Sequence, residues 1–215
     1  MKNISSDYKT IKADKQSEFE IEKSRFITNA RHVETEEEAI AFINEIKEIH
    51  KQATHNCHAY ILNTVPEIKR YSDDGEPQGS AGLPMLSVLE KEDVKNVCLV
   101  VTRYFGGKLL GKGGLVRAYT RGVSDTIAPN IVYKSDYYIV ELILSYNLLG
   151  QIDNYISENK YKIIDKAYTD IVKYKLYVKF NQYEKFSKDL IDMTSANINI
   201  NIVEKSMLYE KRSED

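Results

Sequence analysis

Short blocks of apolar and polar residues alternate along the first 130 residues, and the spacing of the apolar positions predicts a mixture of strands and helices. The pattern predicts five strands, at residues 8–12, 17–23, 24–33, 55–63 and 67–71. The residues at 96–102 are almost all apolar, which is typical of a central strand buried on both faces. The segment is therefore expected to be a buried central strand that leads into the glycine-rich residues after it.

Helical spacing appears in three other segments of this half, at residues 36–50, 82–90 and 115–127. Thr35 and Glu38 form a capping box at the start of the first helix. In the second helix we expect Leu83, Leu86 and Leu89 to face inward. The third helix ends at Ala128-Pro129-Asn130, a helix-stop signal that also predicts a domain boundary.

The second half follows the order β-α-β-β-α-β. Its strands are predicted at residues 137–145, 161–168, 171–180 and 197–203, and its helices at 147–158 and 182–193. The last strand alternates isoleucine with asparagine from Asn197 to Ile202, which predicts one face on a core and one face in water. The order is that of a ferredoxin-like domain. The chain is thus predicted to be α+β, with domains at residues 1–130 and 131–215.

Composition restricts the class of protein. The 215 residues include 30 basic and 32 acidic side chains, so any contact with nucleic acid depends on a local patch and not on net charge. Cys57 and Cys98 are the only cysteines and the N-terminus lacks an apolar signal segment, which indicates reduced thiols in a cytoplasmic protein. No stretch approaches the roughly 18 apolar residues of a membrane span, so no membrane partner is expected.

Nine of the ten glycines lie between Gly75 and Gly122, in two clusters. One is the acidic loop, residues 72–82, and the other is the glycine-rich loop, residues 103–114. Glycine lowers stability in regular structure, so a cluster indicates unusual backbone angles or a backbone that something approaches closely. A basic, glycine-rich turn that opens a helix is a natural anion site, because free N–H groups and the helix dipole both favour negative charge.

The glycine-rich loop also resembles a phosphate-binding P-loop. Gly106, Gly111 and Lys112 have the spacing of that motif, but Gly113 stands where a serine or threonine would bind magnesium. Nucleotide hydrolysis is therefore not expected, and no cofactor is predicted.

Cations without intervening acids make the segment from residue 103 to 121 a candidate nucleic-acid site. Basic side chains with aromatic neighbours suit a phosphate backbone with unstacked bases, although a solubilising rim of charge is the alternative. The predicted anion-binding or nucleic-acid-binding residues are Arg103, Tyr104, Gly106, Gly107, Lys108, Gly111, Lys112, Gly113, Gly114, Arg117 and Arg121.

The acidic loop offers three carboxylates, Asp73, Asp74 and Glu76. Carboxylates on a turn can hold a hard cation, yet Asp-Gly and Glu-Pro are also ordinary turn sequences. A third possibility is that this loop pairs with the basic loop inside one cleft. The nearby His55-Asn56-Cys57-His58 lies on a predicted strand, where His58 faces away from His55 and Cys57, so a metal site there is not favoured.

Four ordered motifs give the chain a resemblance to the bacterial YigZ/IMPACT family: Lys23–Ile27, His55–Tyr60, Ser72–Pro84 and Thr102–Tyr119. Residues 15–130 are similar to the IMPACT-like domain and residues 135–208 to the smaller domain of bacterial members. The resemblance implies a first domain like the second domain of ribosomal protein S five. It also implies a ferredoxin-like second domain similar to the last domain of elongation factor G.

The resemblance points toward translation, since eukaryotic IMPACT is a translational regulator that acts through a partner protein. Residues 1–15 are too short for its extra partner-binding domain, so that specific role is not expected here, and the family supplies no accepted catalytic residues. The chain is predicted to be a non-enzymatic regulator that binds RNA or the ribosome. The alternatives are a metal-assisted enzyme acting on a phosphorylated or peptide substrate, and a regulator that binds a protein partner without RNA.

Overall fold

The computed structural model describes residues 7–211, and contacts divide the chain into two compact units. Of the described residues, 7–133 and 209–211 form the first unit, and Lys134–Leu208 form the second. The first contains β1 Tyr8–Ile11, β2 Lys15–Ile21, β3 Ser24–His32, α1 Glu36–Ile49, β4 His55–Leu62, β5 Ile68–Ser72, α2 Gly82–Glu92, β6 Val97–Tyr104 and α3 Gly111–Ile127. The predicted α+β class with two domains is confirmed.

The sheet of the first unit has the order β2-β3-β6-β4-β5, with every neighbouring pair antiparallel. Strand β6 lies in the middle, and its residues from Val97 to Arg103 are all buried, as its apolar sequence predicts. Helices α2 and α3 pack on one face of the sheet through residues such as Leu89 and Tyr119. Helix α1 covers the other face with Phe42 and Ile46.

Helix α1 begins as the capping box predicts, with one change of partner. The Thr35 hydroxyl accepts the N–H of Glu38 at 3.2 Å. The Glu38 carboxylate accepts the N–H of Glu34 at 2.7 Å, one residue before the position that a capping box uses. Both ends of the motif still satisfy N–H groups that the first turn leaves open.

Two details of the helix predictions are wrong. Leu83 is 44% exposed, and Met85 with Leu86 and Leu89 forms the buried face of α2 instead. Residues 83, 86 and 89 are three apart and drift around a helix of 3.6 residues per turn, so Leu83 falls on the outer side. Helix α3 begins at Gly111 and not near Leu115, so the last glycines of the glycine-rich loop are helical.

The second unit contains most of β7 Ile131–Leu144 and of β10 Asn199–Glu210, and all of α4 Leu149–Glu158, β8 Lys162–Tyr168, β9 Val172–Lys179 and α5 Tyr183–Thr194. Strand β10 pairs with β7, so the four strands of this unit follow the order β10-β7-β9-β8, which is the predicted ferredoxin-like plan. Alternate residues of β7 and β9, including Leu142 and Tyr174, pack against Ile152 of α4 and Phe186 of α5.

The isoleucine face of the last strand is only partly covered. Ile198 and Ile200 pack against the core of the second unit, but Ile202 is exposed. The strict alternation therefore predicts the strand correctly. It overestimates how many of the strand's isoleucines pack on the core. Within residues 7–211, no helix is long and apolar enough to cross a membrane.

Candidate functional site: a cleft between two loops

The acidic loop and the glycine-rich loop face each other across one cleft of about 340 Å³. The acidic loop leaves strand β5, the glycine-rich loop leaves strand β6, and β4 lies between these strands in the sheet. His55 at the start of β4 also lines the cleft. Of the possibilities that the sequence leaves open for the acidic loop, the structure shows the shared cleft.

A buried ion pair links the two loops. Arg103 donates from Nη1 to Oε1 of Glu76 at 2.8 Å, and the two side chains are 5% and 2% exposed. Tyr119 of α3 donates its hydroxyl to the same carboxylate oxygen, and Ser24 accepts from Nη2 of Arg103. Burial raises the pKa of Tyr119 far above its usual range, so the hydroxyl stays protonated and remains a donor.

The other two carboxylates of the acidic loop have different partners. Asp73 accepts the N–H groups of Gly79, Ala81 and Gly82 at 2.8 to 3.0 Å, which holds the start of α2. Asp74 accepts from Lys47 at 2.8 Å and from the N–H of Asn56. Burial alone would raise the pKa of Asp74, but these two donors outweigh burial, so its pKa lies below the usual value.

The three carboxylates do not converge on one point. Each of the three points to a separate set of nitrogen or hydroxyl donors. In the part of the chain that the structure describes, no group of three histidine, cysteine, aspartate or glutamate side chains could hold a metal ion. The acidic loop is built as a structural turn whose carboxylates bind backbone N–H groups and cations.

Five basic residues lie between positions 103 and 121, and the sequence of that segment shows no counter-ion for them. Three of the five have one in the structure. Arg103 pairs with Glu76, Lys108 with Glu22, and Arg121 with Asp125 of its own helix. All three acidic partners lie outside residues 103–121. The sequence of that segment alone therefore does not show them.

Lys112 and Arg117 differ from these cations, because both are exposed and neither has a carboxylate partner among residues 7–211. Lys112 lies in the first turn of α3, and Arg117 follows about one and a half turns later. Leu110, at the N-cap position of α3, offers no side-chain hydrogen bond to that turn. The start of α3 therefore has no side-chain cap. Two cations without a carboxylate partner lie in its first two turns.

Comparison with known proteins finds a matching domain family for each of the two units. The family model of the Impact N-terminal domain matches residues 22–127, and the Domain of unknown function (DUF1949) matches residues 142–197. The IMPACT family member YvyE of Bacillus subtilis is 39% identical over 213 residues, which cover 96% of this chain and 98% of that protein. The chain belongs to the IMPACT family.

Other members show how far the likeness extends. The IMPACT family member YigZ of Escherichia coli is 34% identical over 86% of this IMPACT-family chain and 93% of its own length. A Protein IMPACT homolog of Dictyostelium discoideum is 40% identical over only 93 residues, which are 26% of that protein. A crystal structure described as a hypothetical protein matches 92% of this chain at 32% identity, with a TM-score of 0.57.

The glycines of this IMPACT-family chain have different reasons to be glycine. A Cβ on Gly106 would lie 2.0 Å from the carbonyl carbon of Lys23, so the close approach of two backbones requires glycine there. Gly111 has a φ of +67°, which side chains disfavour. Gly113 has neither reason: its φ is not positive, and the nearest atom to an added Cβ would be Nη1 of Arg117 at 3.9 Å.

Tyr104 and Cys57 are both held by neighbours. The Tyr104 hydroxyl and Nδ1 of His50 share a hydrogen bond of 3.0 Å. The Cys57 thiol donates to the carbonyl of Asp73, and burial raises its pKa to about 12, so it is not a nucleophile at neutral pH. Cys57 lies on the α3 face of the sheet, and His58 pairs with Val100 on the α1 face, as strand alternation predicts.

Sequence reasoning missed His55 as part of the cleft and missed the hydrogen bonds of Tyr119 and Ser24 to the buried ion pair. Tyr119 and Ser24 lie on elements far from Glu76 in sequence, and their hydroxyls carry no local signal. His55 was visible in the His-Asn-Cys-His pattern, but its partner is the carbonyl of Asp74 at 2.9 Å and not a metal.

Proposed function

We propose that this protein is a non-enzymatic, RNA-binding regulator of translation that holds phosphate groups at the start of helix α3. The observation that carries the proposal is the pair Lys112 and Arg117, exposed and without carboxylate partners beside an uncapped helix start. Unpaired N–H groups and the helix dipole add to the attraction of these cations for a phosphate.

The remaining charges of the region support a small site. Arg103, Lys108 and Arg121 are already neutralised, so they add little to the local potential. A site with two free cations binds the sugar-phosphate backbone without reading its sequence through them. The position of Gly113 fits such contact, because the missing side chain leaves the backbone open to a phosphate.

The enzyme alternative has less support. A metal-assisted mechanism needs carboxylates with free oxygens directed to one point, and Asp73, Asp74 and Glu76 are each bound to different donors. The role in translation rests on membership of the IMPACT family and on the resemblance to its eukaryotic members. A regulator that binds only a protein partner is the competing idea that the following experiment separates.

Fluorescently labelled single-stranded RNA and purified ribosomes are titrated with the protein between about 50 and 200 mM salt. The Lys112→Ala/Arg117→Ala variant is compared with Lys108→Ala/Arg121→Ala, which removes the same charge from cations that already have partners. We expect the first variant to lose at least tenfold in affinity, or roughly 1.4 kcal/mol. The second variant should change affinity by less than about threefold.

Salt dependence gives an independent readout. Each phosphate contact on a single strand contributes about −0.7 to the slope of log K against log salt, so the first variant should flatten the slope by about 1.4. Absence of RNA and ribosome binding in the unmodified protein would overturn the proposal. Equal losses in both variants would show that the site is not the start of α3. A complex from cell extract that survives nuclease would favour the protein-binding regulator.

A further inference from the structure

The cleft between the two loops has an apolar wall that the phosphate contacts do not use. Phe105 is 45% exposed and Leu109 is 86% exposed, and both line the cleft beside Leu110. A leucine so fully in water beside a partly exposed aromatic ring is an apolar surface that a ligand would cover. At about 340 Å³, the cleft lies at the small end of the roughly 300–1,000 Å³ typical of small-molecule sites.

Hydrogen-bonding capacity remains at the polar end of the cleft. Oε1 of Glu76 accepts two hydrogen bonds, whereas Oε2 accepts none from residues 7–211, and Nε2 of His55 is 3.8 Å from it. Nε of Arg103 is buried and has no acceptor in the same part of the chain. Because Glu76 lines the cleft, its Oε2 remains available to a donor on a ligand, whereas the buried Nε of Arg103 is out of a ligand's reach.

Charge divides the cleft into two ends. The Glu76–Arg103 pair makes the buried end polar but close to neutral, which suits an uncharged hydrogen-bonding group better than an anion. Gly111 and Lys112 line the other end, where the helix start and the free ammonium group attract an anion. A fitting ligand therefore has a flat, neutral, hydrogen-bonding body and an anionic group attached to it.

We propose that the cleft holds one nucleotide, with its base between the apolar wall and the Glu76–Arg103 pair and its phosphate at the start of α3. This inference rests on the proposed function, because the phosphate site is the same. Phe105 and Leu109 supply contact to the faces of the base, and base–aromatic stacking is tolerant of sequence. The nucleotide is either free or one unstacked residue of an RNA strand, since both present the same chemistry.

The free acceptor also selects among bases. Oε2 of Glu76, which lines the cleft, accepts a hydrogen bond from the exocyclic amino group of adenine or cytosine. Uracil has no amino group, and its one ring N–H lies between two carbonyl oxygens that repel the carboxylate, so uracil fits this acceptor less well. Adenosine nucleotides should therefore bind more tightly than uridine nucleotides.

The test uses the full chain with AMP, adenosine, UMP and single-stranded oligoadenylate, oligouridylate and an oligoadenylate with abasic positions. Leu109→Ala is the main variant, because a side chain this exposed is removed with little effect on folding. Leu83→Ala, an exposed leucine of α2 outside this cleft, is the matched control. Lys112→Ala tests the phosphate end.

We expect adenylate to bind roughly five- to a hundredfold more tightly than the uridylate or abasic form, the range expected for one stacked base. Leu109→Ala should remove most of this difference and Leu83→Ala none of it. Lys112→Ala should weaken AMP but leave adenosine unchanged. Binding of AMP alone would identify a free nucleotide as the ligand, and base-dependent binding of RNA alone would identify an unstacked residue of a strand.

Two results separate this inference from the proposed function. If RNA binds but the adenylate, uridylate and abasic strands bind equally in every variant, the inference is overturned and the phosphate site stands. If AMP binds through Leu109 but no RNA or ribosome does, the inference stands and the proposed function is overturned. If none of these ligands binds, both are overturned.

Discussion

The two loops that form the cleft are alike in sequence and opposite in the use of their charges. Both are rich in glycine and charged residues, and both connect a strand of the same sheet to a helix. In the acidic loop, each carboxylate is bound to the protein itself. In the glycine-rich loop, two cations remain free at its helical end.

The difference shows that the number of charges in a loop does not determine whether they are available to a ligand. Asp73 is saturated by N–H groups of its own loop and the helix that follows it. Lys112 has no carboxylate partner among residues 7–211. The acidic loop is thus expected to contribute mainly to stability and the glycine-rich loop mainly to binding. Three variants test that division, beginning with the largest expected effect.

Replacement of Glu76 with alanine should be the most destabilising change. It leaves the guanidinium of Arg103 buried without its counter-ion, and breaking a buried ion pair in this way costs about 3–5 kcal/mol. Glu22→Ala, which breaks the exposed pair with Lys108, should cost less than about 1 kcal/mol. Urea unfolding of both variants measures the difference. Similar losses would mean that the link between the loops has no special role in stability.

Replacement of Asp73 with alanine should cost about 2 kcal/mol, because three backbone N–H groups lose a charged acceptor. Asp73→Asn keeps one acceptor oxygen and should lose about half as much. Thermal and urea unfolding of the two variants check the order. If both variants are as stable as the unmodified protein, the acidic loop does not depend on this carboxylate.

Replacement of Gly113 with alanine should have the smallest effect on stability of the three variants. Unlike the other two, it should raise the stability. Alanine favours the helix by about 0.5–1 kcal/mol, and its Cβ meets no neighbour closer than 3.9 Å. RNA affinity should fall, because the Cβ occupies the approach to the backbone. Gly150→Ala, in the first turn of α4 with no atom within 4 Å of its Cβ, is the control that gains stability without loss of binding. Unchanged RNA affinity in Gly113→Ala would place the phosphate elsewhere.

Local pattern predicted most of the fold. The apolar run of β6, the cap at Thr35 and the strand order of the second unit all follow from residues close together in sequence. Leu83 was misassigned because hydrophobic spacing does not identify which turn of a helix lies outside the core.

The site was only partly predictable for a different reason. Sequence identified both loops and the residues that line them, since glycine and charge are visible without a structure. It did not identify the partners of those charged residues, because Glu22, Tyr119 and Ser24 come from elements distant in sequence. A charged residue becomes available or unavailable through such long-range contacts.

The central position of β6 has a consequence for the order in which the first unit assembles. Strands β2 and β3 pair with each other, as do β4 and β5, and each pair consists of neighbours along the chain. Strand β6 inserts between these hairpins and comes last in synthesis. A nascent chain that ends before β6 therefore has two more open strand edges than the finished sheet, at β3 and β4, and open edges are prone to pair with other chains. The step that closes both edges also delivers Arg103 to Glu76, so the cleft forms only when the sheet is complete.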